Sequence, residues 1–238
     1  MQKLKWIILI AILILLAGAF FIYTGNFYHA DEQAFSAMES DKAVVVVQTD
    51  YGWLFDGPSD ETALIFYPGA KVEAQAYAPM LHLLAEKGMD ACLVKMPFHL
   101  ALFDMNKAEF VIREHSYDTW FVGGHSMGGA MAANYAANHG DQISGLILFA
   151  AYPTKTLDEQ LIEISVYGTE DGILNMGKVE KGKTYAPVTF YECVIEGGNH
   201  ALFGNYGEQK GDGAPTITAQ EQQRKAVDFI VMHALSSE

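Results

Sequence analysis

The chain has 238 residues, half of them hydrophobic, and a formal net charge of −14 from 15 basic and 29 acidic side chains. That length and apolar content exclude an intrinsically disordered polymer and suffice for one domain with a sizeable core. The acidic balance repels phosphate backbones and anionic lipid surfaces, so no nucleic acid is expected as a partner.

The first element is an N-terminal helix. Lys3 and Lys5 precede an uncharged run from Trp6 to Tyr23, about 27 Å long as a helix and close to the hydrocarbon thickness of a bilayer. Trp6 and Tyr23 stand at its two ends, where amphipathic rings favour the interface. Residues 1–24 read as a membrane anchor, with a cleaved signal segment as the alternative. No cysteine stands at the end of the run, which excludes a bacterial lipoprotein. The two lysines place the N-terminus in the cytoplasm and the rest of the chain outside, on the cell membrane or, after cleavage, secreted. Residues 25–42, polar and acidic, read as a linker, partly helical at most. The folded domain is expected over 43–238.

Within it, residues 44–47 and 52–55 form a β-hairpin around Thr49-Asp50-Tyr51. Residues 63–67 are continuously apolar and stop at Pro68-Gly69, as a buried parallel strand does. A helix over 73–87 ends at Gly88. A strand at 91–96, a helix at 104–115 and a strand from Trp120 follow. Then come a helix to His139-Gly140, strands at 144–150, 161–167 and 188–195, and a closing amphipathic helix at 218–235. Strands alternating with helices over short connections predict an α/β fold: a mostly parallel, doubly wound sheet covered on both faces. In such sheets reactive groups gather beyond the carboxyl ends of the strands.

One motif lies there. Gly124-His125-Ser126-Met127-Gly128 joins the Trp120 strand to the next helix. A Gly-x-Ser-x-Gly turn in that context is a nucleophile elbow, so tight that both flanks must be glycine, with the serine hydroxyl pushed outward. Two further groups sit past strand ends. Asp171 follows the 161–167 strand and His200 follows the 188–195 strand. Ser126, Asp171 and His200 are therefore the candidate catalytic residues, with His200 as base and Asp171 orienting its ring. Glu170 is the neighbouring rival for the acid, and Asp171 before a glycine is also ordinary turn chemistry. His125 reads as a packed elbow residue. The candidate oxyanion-hole donors are the N–H groups of Met127 and Ala70, with Lys71 the alternative to Ala70. Lys71 is either a cation at the pocket mouth or a solvated surface lysine. Cys92 and Cys193 read as small strand hydrophobes, with a disulfide between them left open. No ligand spacing suggests a metal, and no cofactor is expected.

The elbow and the order serine, aspartate, histidine resemble the α/β-hydrolase superfamily from about Ala63 to the C-terminus. Tyr67-Pro68-Gly69-Ala70-Lys71-Val72, Ala150-Ala151-Tyr152-Pro153, Tyr167-Gly168-Thr169-Glu170-Asp171-Gly172 and Glu196-Gly197-Gly198-Asn199-His200 look like small esterase-like hydrolases related to the dienelactone hydrolase group. That group has cysteine where this chain has Ser126, so the resemblance does not imply its substrate. It implies a serine hydrolase acting on an ester or related acyl bond, small or polymer-linked. An acyltransferase on the same triad and a non-catalytic binding member of the fold are the alternatives. Residues 151–160 are too few to fold into a cap, so the site is expected to be open. The loops 97–103 and 201–213 would be its only roof, the second either mobile or rigidly packed.

Overall fold

A computed structural model describes residues 2–235, with side-chain exposure from residue 3. The outer ends of the expected anchor (residue 1) and of the expected domain (residues 236–238) lie outside the described residues. Helix α1 runs Gln2–Gly25 and α2 Glu32–Ser36. Strands β1 Val45–Gln48 and β2 Gly52–Asp56 form the expected hairpin and pair antiparallel. Then come β3 Thr62–Tyr67, α3 Ala78–Glu86, β4 Asp90–Val94, α4 Lys107–Glu114, β5 Thr119–His125 and α5 Met127–Asn138. The chain closes through β6 Gly145–Phe149, β7 Ile162–Gly168, α6 Met176–Gly182, β8 Thr189–Ile195 and α7 Ala219–Ala234.

The eight strands form one sheet in the order β1-β2-β4-β3-β5-β6-β7-β8. Only β2 runs against the rest; it pairs antiparallel with β1 and with β4, and all other pairings are parallel. The chain lays β4 on one side of β3 and then returns to place β5 on the other, so the crevice at the β3/β5 carboxyl ends is a topological switch point. Side chains alternate across the sheet. Leu64 and Phe66 join the cluster under α3 and α7, while Ala63, Ile65 and Tyr67 join the cluster under α4 and α5. Every residue of β3 is buried, which is why its sequence is continuously apolar.

Differences from the expected elements have local causes. The helix expected over 73–87 begins as a 3-10 turn, Ala74–Tyr77, and becomes α-helical at Ala78. Pro79 sits in that first α-helical turn, where its missing N–H costs nothing. The 104–115 helix starts only at Lys107. Helix α6 was not expected, because Gly177 and Gly182 dilute a seven-residue segment. The closing helix starts at Thr218, whose hydroxyl accepts the Glu221 N–H.

Residues 26–41 lie along the domain. The Tyr28 N–H donates to the Lys71 carbonyl at 2.7 Å and the Glu73 N–H to the Tyr28 carbonyl at 2.9 Å. The Asp31 N–H donates to the Asn205 carbonyl at 3.0 Å, and Ala34 of α2 is fully buried. Both cysteines are free thiols. Cys92 on β4 and Cys193 on β8 are five strand spacings apart, about 24 Å, and belong to opposite faces of the sheet. A bond between them is geometrically impossible. Burial pushes the Cys92 thiol up to about 12, so it is inert.

Candidate active site

Ser126 follows β5 and precedes the first residue of α5 at φ +54° and ψ −120°. That is a region a non-glycine residue occupies only when its surroundings force it. Its N–H is held by the Phe149 carbonyl of β6 at 2.9 Å. The two flanking glycines have a steric cause. A Cβ at Gly124 would overlap the Tyr67 carbonyl, and one at Gly128 would overlap the carbonyls of Tyr67 and Pro68. The elbow is thus pressed against the end of β3. Met127 opens α5, so its N–H has no carbonyl four residues earlier to bond and stands at the helix's positive end.

On the far side, the chain leaves β7 and β8 through two joined loops. Asp171 Oδ2 and His200 Nδ1 are 2.8 Å apart, with side chains 1% and 2% exposed. Asp171 Oδ1 also accepts the N–H groups of Ile173 and Leu174, at 2.9 and 2.7 Å. Glu170, by contrast, is exposed and meets only the Thr169 hydroxyl. A histidine whose Nδ1 donates to a carboxylate carries a bare, basic Nε2. His200 Nε2 is buried and has no hydrogen-bond partner. Ser126 and His200 both line one cavity of about 450 Å³, with Met127, Met131, Ala151 and Ile173 among its apolar walls. The Ser126 hydroxyl and His200 ring therefore share a chamber without a direct hydrogen bond, as resting sites often do. Two larger hollows, about 480 and 610 Å³, lie against residues 31–41 and include neither Ser126 nor Met127.

The candidate oxyanion loop is Pro68-Gly69-Ala70-Lys71. The Lys71 N–H is committed to the His99 carbonyl at 2.8 Å, which favours Ala70 as the donor. Lys71 takes φ +58°, and its Nζ rests 4.3 Å from the Tyr23 ring centre, a placement neither sequence reading foresaw.

Several supporting residues were not legible. Asp212 reaches under the loops that carry Asp171 and His200: Oδ1 accepts the N–H groups of Gly172 (3.0 Å), His200 (3.3 Å) and Gly213 (2.9 Å), and Oδ2 that of Ala201 (2.8 Å). Gln222, fully buried on α7, brackets Asn199, accepting its N–H at 2.9 Å and donating to its carbonyl at 2.8 Å. The 201–213 loop is packed in its first part, where Ala201, Phe203, Asn205 and Tyr206 are buried, while Gly207, Glu208, Lys210 and Gly211 are exposed. Tyr77 hydroxyl accepts the Gly69 N–H at 3.1 Å and meets His125 Nδ1 at 2.8 Å. His125 is buried against His200, ring centres 4.5 Å apart. Burial first, and the second imidazole next, hold its pKa well below the usual histidine value, so it stays neutral. The elbow histidine thus ties the nucleophile turn to the oxyanion loop. Among the described residues no group of three or more His, Cys, Asp or Glu could hold a metal ion.

Solved structures share the fold at low identity. A monoacylglycerol lipase from Paleococcus ferrophilus is 14% identical, covering 81% of this chain and all of its own, with a TM-score of 0.60. A carboxylesterase from Bacillus subtilis is 10% identical over 87% of this chain and 96% of its own, TM-score 0.57. A thermophilic esterase from Thermogutta terrifontis is 19% identical over 82% and 94%, TM-score 0.51. No curated protein matches. A family model described as the alpha/beta hydrolase family matches residues 63–224, which take in the Ser126 turn, the loops carrying Asp171 and His200 and nearly all of the sheet from β3 to β8, and the chain belongs to that family.

Proposed function

We propose that the chain is a serine hydrolase that cleaves an ester or related acyl bond through an acyl-enzyme. Ser126 is the nucleophile. His200 Nε2 takes its proton as the hydroxyl attacks the acyl carbon, and Asp171 holds the ring and the positive charge it acquires. The N–H groups of Ala70 and Met127 receive the negative charge that develops on the carbonyl oxygen. His200 then returns the proton to the leaving alcohol, and water releases the acyl group by the same steps in reverse. The residues supply all of this without a cofactor.

The observation that carries the reading is the buried Asp171–His200 pair at 2.8 Å, whose spare imidazole nitrogen has no partner in a cavity that Ser126 also lines. The esterases and the lipase among the structural neighbours fit an acyl ester substrate. We also read α1 as a retained single-pass anchor with the domain on the extracytoplasmic side. Its residues Lys3–Gly25 are long and apolar enough to cross a bilayer and are mostly unburied in the fold. The test is labelling of the full chain with a fluorophosphonate, combined with hydrolysis of p-nitrophenyl esters of increasing chain length. Labelling at Ser126 and turnover support the reading; absence of both defeats it.

A further inference from the structure

A patch outside the chemistry points at the membrane. The connection from β4 to α4 carries Phe98, Leu102 and Phe103, 44%, 53% and 50% exposed. Phe98 and His99 both take φ +56°, which bulky side chains rarely adopt, and Phe98 ends up outside the core. These rings do not stand alone. Phe98 and Phe103 are 5.1 and 5.9 Å from Phe20 of α1, and 5.7 Å from each other. Phe21 completes the cluster, 6.4 Å from Phe98. Phe20 lies five residues before the last residue of α1, about 7.5 Å back along the helix axis. The loop tip therefore stands at the depth of the last turns of the candidate span, within the range to which interfacial segments bury their apolar side chains.

The same loop adjoins the candidate oxyanion loop. The His99 carbonyl holds the Lys71 N–H, beside Ala70, and the 3-10 turn Ala101–Phe103 packs on α5. Met131 of α5 packs into the cluster containing Ala101 and also walls the Ser126 cavity. We propose that Phe98, Leu102 and Phe103 are seated in the outer leaflet of the bilayer that α1 crosses, and that the substrate is an amphiphilic acyl ester resident in that leaflet. This rests on the readings of Ser126 as nucleophile and of α1 as a retained span. An ester whose chains remain among lipids presents its acyl bond to Ser126 without the cost of bringing those chains into water. The net charge of −14 favours a zwitterionic or neutral surface over an anionic one.

The experiment uses the full chain in phosphatidylcholine vesicles. An NBD probe on Phe103→Cys, in a Cys193→Ser background, is compared with one on Val188→Cys, which precedes β8 at the opposite rim of the sheet and is 82% exposed. Doxyl-labelled lipids are expected to quench the probe at 103 several-fold more than the probe at 188; equal quenching overturns the proposal. The second readout is the ratio of two rates, 4-methylumbelliferyl oleate in vesicles over the water-soluble acetate. Phe98→Ser with Phe103→Ser is expected to lower that ratio about tenfold, and leucine at both positions to restore it; a ratio unchanged by serine overturns the lipid substrate. Fluorophosphonate labelling in the same vesicles reads Ser126 separately, so a failed nucleophile and a misplaced loop give different results. A chain that does not float with the vesicles defeats the anchor and this proposal together.

Discussion

The two halves of the site are held in different ways. The proposed acid–base half, at the ends of β7 and β8, is fixed by side chains of the domain: the half-buried Asp212 under the Gly172, His200 and Ala201 amides, and the buried Gln222 around Asn199. The oxyanion half, after β3, is fixed largely by backbone. Lys71 is bonded on one side to His99 and on the other to Tyr28, and the Glu73 carboxylate accepts the Ala30 N–H at 2.9 Å. The oxyanion half thus leans on the segment that emerges from α1 directly at Lys71 and Glu73, whereas that segment meets the acid–base half farther out on its loop, at Asn205 and Lys210.

The sharpest way to break the first half is at the charge pair. Asp171→Asn leaves the shape and removes the carboxylate that fixes the His200 tautomer, so kcat for a soluble ester is expected to fall about 10⁴-fold. A fall under tenfold would assign the acid elsewhere, with Glu170→Gln the next variant to assay. Asp212→Ala strips the acceptor from four backbone N–H groups, each costing about 1–3 kcal/mol if left buried and unpaired. The expected result is a loss of kcat of about 10² together with a lowered Tm. For the second half, removal of residues 1–30 deletes the Tyr28 and Ala30 contacts with Lys71 and Glu73. It is expected to lower kcat about tenfold while leaving the downfield proton NMR signal of a carboxylate-bonded imidazole N–H in place. Loss of that signal would show the halves to be one unit. Smaller still, Tyr77→Phe removes the hydroxyl that accepts the Gly69 N–H and is expected to cost about 1–2 kcal/mol in stability, read by urea unfolding.

How much of this was legible in the sequence follows the same division. The elbow, the strand ends and the order Ser126, Asp171, His200 depend on local pattern, because each residue sits immediately past a strand that its own neighbours define. The loop Pro68-Gly69-Ala70-Lys71 is legible for the same reason, since it follows β3 directly. Asp212, Gln222 and Tyr77 carry no local signal, since their partners lie eight or more residues away and meet only when the loops close. The acidic, polar 25–42 segment reads as a linker because its contacts, such as Tyr28 to Val72, pair residues far apart in the chain.

One buried group outside both halves gives a pH test. Glu163 on β7 is 2% exposed with Oε2 unpartnered, and burial raises its pKa to about 8. The fold therefore holds a proton that the unfolded chain releases above about 4.5. The stability it contributes is full below that pH and is lost as pH rises through about 8. Glu163→Gln is expected to match the native chain in urea unfolding at pH 4 and to exceed it at pH 8 by on the order of 2 kcal/mol. An equal difference at both pH values would contradict a neutral carboxyl in the fold.

The measurement that bears most directly on the proposed mechanism is mass mapping of the full chain after fluorophosphonate treatment. The adduct is expected on the peptide containing Ser126, and Ser126→Ala and His200→Ala are expected to prevent it. An adduct on another residue, or labelling that persists in both variants, would contradict the account.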